Sequence, residues 1–206
     1  MTSTAIWWIR RDFRLIDNQA LSAAIRSADS VLPLFIIDPA LQARDAEKKK
    51  AYLFGALRGL AETIASQGGQ LVLRQGKPEH VLSALMKQTR AVRIFAEADL
   101  SPYARTRDAG IQAIMPLTLT AGVTAIPPDV VLKADGTPYT VYTPFSKTWK
   151  NIFPDDLIPI SAPNKIPTIR GVKSESLPQH PQDSNFPSGE AEALDRLQYF
   201  LDNGVY

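Results

Sequence analysis

Residues Ala5 to Leu21 read AIWWIRRDFRLIDNQAL and contain the pattern of a strand, a charged turn and the start of a helix. The unbroken apolar run from Ala5 to Ile9 is typical of a strand that is buried on both faces in a parallel sheet. After the turn, apolar residues from Ala20 to Ile25 recur at helical spacing, and we expect Asp17 to cap the helix. The stretch therefore predicts the first β–α unit of an α/β protein.

The same alternation recurs along the chain. Further strands are predicted at Val31 to Ile37, Leu71 to Leu73, Val92 to Ala96 and Ile114 to Leu119, with helices at Glu47 to Ser66, after Pro78 and from Ser101 to Ile111. Five strands that alternate with four helices favour parallel pairing with right-handed crossovers. We therefore predict an α/β fold over residues 1–130, a three-layer α/β/α sandwich with a five-stranded parallel, Rossmann-like sheet, followed by an extended linker.

The last third of the chain does not continue the alternation of strands and helices. Residues 131–153 are predicted to extend the α/β domain through an Asp135-Gly136 turn and one or two helical turns near Phe145 to Trp149. Residues 154–206 are predicted to be a Pro-rich linker and the start of an interdomain helix, because seven of the sixteen prolines lie between Pro154 and Pro187. We expect that linker to lie on the surface or to be disordered, and the chain to be truncated before a second domain.

Composition excludes several classes of function. The 206 residues include 23 Lys and Arg against 21 Asp and Glu, too small an excess for a protein that binds nucleic acid mainly through phosphates. There is no Cys, and His80 and His180 are far apart, which argues against disulfides and thiolate or histidine metal sites. Apolar runs fall well short of the roughly 20 residues of a membrane span. We expect a cytoplasmic protein with no membrane partner.

Charged residues follow several of the predicted strands. In an open parallel sheet, ligands bind outside the carboxyl ends of the strands, near the point where strand order reverses. Polar side chains from separate loops therefore converge on one rim and favour a ligand with a polar head. The alternative is that the arginines only pair with nearby aspartates, the lysines are solvated and Asp99 caps a helix. The candidate ligand-binding residues are Arg10, Arg11, Asp12, Asp38, Lys49, Lys50 and Asp99.

The chain lacks the common motifs of catalysis and nucleotide binding. No G-x-G-x-x-G follows the first predicted strand, no G-x-x-x-x-G-K-[ST] occurs, and no Ser lies in a nucleophile elbow. Asp155 and Asp156 are adjacent, so they do not form the facing carboxylate pair of a glycosidase. We therefore predict no catalytic residues, and a domain that holds a ligand without making or breaking bonds.

Four stretches resemble the DNA photolyase and cryptochrome family in order and spacing. The turn after the first strand, Arg10 to Leu21, is similar to the family pattern Arg-Arg-Asp-Leu-Arg followed by Asp-Asn-x-Ala-Leu, with Phe13 in place of Leu. The segments Leu32 to Pro39, Asp99 to Asp108 and Leu132 to Trp149 resemble later family segments. The end of the chain, from Gly189, is similar to the place where the family's large helical domain begins.

The resemblance implies a function for this α/β domain. In the family, such a domain holds a light-harvesting antenna chromophore, and a helical domain binds FAD, flips the damaged pyrimidine dimer out of DNA and repairs it. The helical FAD domain is expected to be absent here, so the chain alone is expected to repair no dimers and to bind DNA weakly. A cryptochrome signalling domain is the alternative, and an unrelated nucleotide-binding enzyme of the same topology is a third reading.

The resemblance leaves the antenna as FMN, a deazaflavin or a folate. A flavin-type ring is expected between the ends of the first, second and fourth strands, with Asp99 accepting from a ring N–H and Arg10 and Arg11 binding an anionic tail. Lys49 or Lys50 would donate from the opposite wall. A folate would instead lie at the junction with the helical domain. The apolar residues of the final helix are expected to contact that domain, or to cause self-association without it.

Overall fold

The computed structural model describes residues 2–42, 46–122, 124–154, 156–180 and 186–204. A five-stranded parallel sheet has the order β3-β2-β1-β4-β5. The chain runs outward from β1 through β2 to β3, and then returns to the other side of β1 for β4. The strands are β1 (Thr4–Ile9), β2 (Ser30–Ile37), β3 (Val72–Gln75), β4 (Ala91–Glu97) and β5 (Leu117–Thr120).

The helices cover both faces of this sheet, so the predicted three-layer α/β/α architecture is confirmed. They are α1 (Gln19–Ser27), α2 (Pro39–Gln42), α3 (Glu47–Ser66), α4 (Pro78–Thr89), α5 (Pro102–Gln112), α6 (Tyr142–Ile152) and α7 (Glu190–Asn203). Side chains of α1 and α3 pack on one face of the sheet, and side chains of α4 and α5 pack on the other.

Strand β1 lies at the centre of both apolar cores. Its alternate residues point to opposite faces, so Trp7 belongs to the core under α1 and α3, and Trp8 to the core under α4 and α5. All six residues of β1 are buried. The prediction of a strand buried on both faces is therefore confirmed, and the two tryptophans are packing residues.

The cap of α1 differs from the prediction. Asn18, not Asp17, is the N-cap, and its side-chain oxygen accepts a hydrogen bond from Leu21 N at 2.8 Å. Asp17 instead has a left-handed backbone, with φ of 51°, and its carboxylate accepts from Ile160 N at 3.3 Å. The left-handed residue turns the chain before the helix, which moves the capping role one residue along.

Two elements have other bounds than the sequence predicts. β5 begins at Leu117 rather than at Ile114, because Ile114 lies in the turn that closes α5, where its backbone N–H donates to Ile111 O. The segment near Phe145 forms the eleven-residue helix α6 rather than one or two turns. None of the residues of α6 is buried, and Tyr142 is 76% exposed.

The Pro-rich linker packs along the sheet. Pro167 O accepts from Val31 N at 2.7 Å, and Ile169 N donates to Val31 O, where β3 does not reach β2. Further on, Glu175 N donates to Leu73 O and covers the free edge of β3. Ile166 and Val172 are buried in opposite cores. The linker is extended as predicted, but this part of it belongs to the core rather than only to the surface.

We expect Ile166→Ala to lower the free energy of unfolding by about 2–4 kcal/mol, because it leaves a cavity in a packed core. Ile166 is 1% exposed, whereas Ile158 in the same linker is 85% exposed. Ile158→Ala, the matched control, should change stability by no more than about 0.5 kcal/mol. Urea unfolding of both variants measures the difference. Equal stabilities would show that the linker does not contribute to the core.

Candidate functional site

The strand order reverses between β1 and β4, and the charged turn after β1 lies at their carboxyl ends. This is the position where open α/β sheets bind ligands. The structure fills most of this space with side chains. A cavity of only about 10 Å³, roughly one water molecule, remains among Arg10, Asp12, Glu97 and Asp99.

Arg10 is buried in an ion pair. Its guanidinium donates to both carboxylate oxygens of Asp108 in α5, at 2.6 and 2.8 Å, and also to the backbone carbonyl of Glu97. The guanidinium groups of Arg10 and Arg107 lie 4.9 and 4.7 Å from the centre of the Trp8 ring. Because these contacts use its two terminal nitrogens, Arg10 is not available to a ligand in this conformation.

Asp12 organises the turn after β1 from inside. It is 1% exposed and accepts hydrogen bonds from Arg10 N at 2.9 Å, Asn18 Nδ2 at 3.2 Å and Trp7 Nε1 at 3.3 Å. A buried carboxylate needs such donors to offset the loss of hydration. The three contacts join the end of β1 to the start of α1, so Asp12 stabilises the turn and does not face the cleft.

Glu97 ends β4 and pairs with Arg14 across the reversal point, at 2.7 Å. Burial and then repulsion from Asp12 raise the pKa of Glu97 to about 7, against the opposing effect of the Arg14 guanidinium. Gly122 covers the carboxyl group, since a Cβ at that position would overlap it. Glu97 is therefore a buried acid that can change its charge near neutral pH.

Arg11 and Asp99 form the outer part of the rim. The Arg11 side chain is 67% exposed and lies 3.7 Å from the Asp99 carboxylate. Burial works to raise the pKa of Asp99, but hydrogen bonds from Ser101 and the nearby arginines outweigh it and lower that pKa. Ser101, rather than Asp99, is the N-cap of α5. Both side chains remain charged and reachable from solvent.

Asp38 directly follows β2, and its carboxylate is already hydrogen-bonded to another part of the protein. Its carboxylate accepts from the Tyr103 hydroxyl of α5 and from Ala40 N at 3.0 Å. Burial and the bond to Asp38 raise the pKa of Tyr103 to about 12. Asp38 is 6% exposed, so it joins β2 to α5 instead of facing a ligand.

The two predicted lysines lie at the start of α3, away from this network. Lys50 pairs with Glu47 on the same helix at 3.1 Å. Lys49 is exposed and lines a cavity of about 410 Å³ together with Lys48, Tyr52 and Phe186. The structure therefore places Lys49, but not Lys50, where it could contact a bound anion.

A larger cleft lies outside the strand ends, between the turn after β1, helix α3 and helix α7. Its volume is about 670 Å³, within the range of small-molecule sites. Aromatic and apolar side chains form its walls, and arginines form its rim. The principal contributors are Phe13, Tyr52, Leu53, Leu194, Arg11 and Arg14. We call this space the outer cleft.

The structure separates the predicted site residues into three groups. Arg10, Asp12 and Asp38 hold the fold together, Arg11 and Asp99 lie on the outside of the strand ends, and Lys49 and Lys50 lie on α3, beyond Tyr52 and paired with Glu47 respectively. Sequence reasoning did not assign Asp108, Tyr103 or Glu190 to this region. Asp108 closes the DLSPYARTRD segment, so its motif was visible, but its partner lies 98 residues earlier. No sequence pattern marked Glu190 as a residue of this region.

Within residues 2–42, 46–122, 124–154, 156–180 and 186–204, no helix is both long and apolar enough to cross a membrane. No group of three or more His, Cys, Asp or Glu in those same ranges has the geometry to hold a metal ion.

Comparison with known proteins identifies the family. Residues 5–164 match the family model described as DNA photolyase, which covers most of the chain. The deoxyribodipyrimidine photo-lyase of Synechococcus sp. is 34% identical, over 100% of this chain and 46% of that protein. The chain therefore belongs to the DNA photolyase family. It spans about half the length of the curated relatives it matches.

Solved structures agree with the family assignment. A bacterial class III photolyase from Agrobacterium tumefaciens superposes with a TM-score of 0.86 at 26% identity, over 98% of this chain and 45% of that one. An archaeal photolyase from Sulfolobus tokodaii, solved with two FAD molecules that imply a novel light-harvesting cofactor, has a TM-score of 0.75 at 20% identity, over 94% and 46%. The second likeness shows the fold alone.

We expect Glu97 to make stability depend on pH. Its pKa is about 7 in the folded chain against an ordinary value of 4.5, so the folded state binds this proton more tightly. The resulting stabilisation is complete below about pH 4.5 and is lost as pH rises through about 7. Glu97→Gln is always neutral and should not lose stability over this window. Urea unfolding between about pH 4.5 and 8 should show wild type falling relative to the variant.

Glu62→Gln is the control for this experiment, because Glu62 is an exposed carboxylate on α3. Its profile should run parallel to that of the wild type. A Glu97→Gln profile that is also parallel to the wild type would contradict a raised pKa at Glu97.

Proposed function

We propose that this chain is the amino-terminal α/β domain of a light-dependent DNA photolyase and that it holds a light-harvesting chromophore in the outer cleft. The observation that carries the proposal is the pairing of an aromatic-walled cleft of about 670 Å³ with an arginine rim, at the ligand-binding edge of a photolyase-family domain. Light harvesting requires a positioned dye and no proton transfer, which agrees with carboxylates that are buried and paired.

The walls of the outer cleft suit a planar ring. Phe13 and Phe35 pack with ring centres 5.9 Å apart, which fixes the floor of the cleft. Tyr52 and Leu53 project from α3 on one side, and Leu194 from α7 on the other. A cleft with the aromatic rings of Phe13 and Tyr52 and an aliphatic wall opposite favours a fused aromatic ring system over a flexible sugar or peptide.

The rim of the outer cleft suits an anionic tail. Arg11 is exposed and its nearest carboxylate, Asp99, lies at the long distance of 3.7 Å, so its guanidinium can turn to a phosphate or carboxylate. Lys48 and Lys49 lie on the far side of Tyr52. Of the predicted ligand-binding residues that keep a free face, only Arg11 lines the outer cleft, while Asp99 and Lys49 line neighbouring spaces. We therefore assign the ligand contact to Arg11, with Asp99 and Lys49 beside the cleft, and leave Arg10, Asp12, Asp38 and Lys50 in supporting roles.

The chromophore that fits this description best is FMN or a deazaflavin. Both have a three-ring system for the cleft and a polar tail for the rim, and the tail of FMN carries an anionic phosphate. The light-harvesting cofactor of the Sulfolobus tokodaii relative is consistent with a dye at this domain. A folate remains the alternative for a shallower site at the edge of the domain. FAD itself belongs, on this proposal, to a separate helical domain.

Two partners follow from the proposal. A helical FAD domain would contact the exposed apolar residues of α6 and α7, and damaged DNA would bind through that domain, because flipping a base needs a pocket of its own. A cytoplasmic location goes with this role. A cryptochrome-type signalling domain would share the fold, but the Synechococcus and Agrobacterium relatives are both named photolyases, which favours repair.

We expect the purified chain to bind FMN or a deazaflavin, and Arg11→Ala to weaken binding by roughly ten- to a hundredfold, since a hydrogen bond to a charged group contributes about 1.5–3 kcal/mol. Fluorescence titration of each dye measures this. Arg11 is highly exposed, so the substitution should leave the fold intact.

Arg26→Ala is the matched control for the titration. Arg26 is exposed in the last turn of α1, just before β2 begins and so near the amino ends of the strands, and its loss should not change binding. Equal weakening by both substitutions would reveal a general charge effect. Unchanged binding to Arg11→Ala would place the dye elsewhere, and no binding of either dye by the wild type would contradict the outer cleft as an antenna site.

We also expect the chain by itself to self-associate as its concentration rises, because α7 exposes Leu197 and Leu201 at 53% and 66% beside other apolar residues. Leu197→Glu should shift the association to higher concentration. Sedimentation velocity measures the effect, with Ile114→Glu, at an exposed apolar residue after α5, as control. A wild-type chain that stays monomeric at every concentration would contradict an uncovered binding face on α7.

A further inference from the structure

Helix α7 forms one wall of the outer cleft without burying any of its side chains. Gly189, Glu190, Ala193 and Leu194 line the cleft opposite Tyr52 of α3. No residue of α7 is buried. Its attachment therefore cannot depend on a packed apolar face, which is what usually holds a helix in place.

The first residue of α7 makes the strongest described contact between this helix and the turn after β1. The Glu190 carboxylate accepts from Leu15 N and from Ile16 N, each at 2.9 Å, with one oxygen for each amide. Two successive backbone amides that point at one anion form a small anion-binding concavity. Hydrogen bonds to an ionised acceptor are stronger than neutral ones, so this paired contact fixes the helix end.

The residue before Glu190 is a glycine, Gly189, whose backbone dihedral angles are not restricted by a side chain. Gly189 has φ of 123°, a conformation that side-chain-bearing residues rarely adopt. It is also the N-cap of α7 and offers no side-chain cap. The start of the helix is thus held by the Glu190 contact rather than by a capping side chain.

We propose that Glu190 is a positioning residue for the outer cleft: its contact with the amides of Leu15 and Ile16, here called the Glu190 latch, holds α7 as a movable wall, and its release opens the cleft to the ligand. The inference rests on the proposed function only for the identity of the ligand. The latch joins α7 to the turn after β1, which also carries Arg11. A movement of α7 is therefore coupled to the position of the Arg11 guanidinium at the rim of the cleft.

Two measurements on the whole chain test the latch. The first is hydrogen exchange of the Leu15 and Ile16 amides without ligand, in wild type, Glu190→Ala and Glu190→Gln. We expect exchange at both amides to rise at least about tenfold in Glu190→Ala, with an intermediate rise in Glu190→Gln, which keeps one acceptor oxygen. Glu192→Ala, exposed in the same first turn, is the matched control and should leave both amides unchanged.

The second measurement is the release rate of bound FMN by stopped-flow. We expect Glu190→Ala to release the dye about tenfold faster or more, a change that corresponds to about 1.4 kcal/mol, with Glu192→Ala like the wild type. Exchange in the β1 core should stay slow in every variant, which shows that the domain remains folded.

The outcomes separate the latch from the proposed function. Unchanged exchange at Leu15 and Ile16 in Glu190→Ala would overturn the latch whether or not a dye binds. Faster exchange with an unchanged release rate would overturn its role as a movable wall. If the wild type binds no FMN but exchange rises as expected, the latch stands as a contact and the proposed ligand fails.

Discussion

The Arg10 guanidinium joins three elements at the point where the sheet reverses. It extends from the end of β1, pairs with Asp108 of α5 and reaches the last carbonyl of β4. Its side chain is 7% exposed and that of Asp108 is 3% exposed. Loss of Asp108 from this buried pair should cost about 3–5 kcal/mol, because the Arg10 charge would remain without an ionic partner. The position of the whole charged turn follows from this contact.

The ion pair also determines where a ligand can bind. With Arg10, Asp12 and Glu97 folded inward, the strand ends are nearly full and the space at the reversal point is limited to about 10 Å³. The turn instead presents Phe13 and Arg11 outward, to a cleft that α3 and α7 complete. The ligand site of this domain is therefore beside the reversal point and is shaped by a helix that arrives from the far end of the linker.

The fold could be predicted from sequence because burial on two faces leaves a local pattern, as in the run from Ala5 to Ile9. The roles of individual charges could not. Arg10 and Arg11 are adjacent and chemically equal, yet one faces the interior and the other the solvent, because Asp108 lies on the side of Arg10. Likewise, the sequence around Ile166 is typical of a linker, and the burial of Ile166 follows only from the position of its segment beside β2.

The position of FMN in a crystal structure of the chain would distinguish an outer-cleft site from a site at the strand ends. We expect the ring in the outer cleft between Tyr52 and Leu194, with its phosphate near Arg11 and with the Arg10–Asp108 pair intact. A ring between the ends of β1 and β4, with Arg10 turned away from Asp108 toward the phosphate, would contradict it.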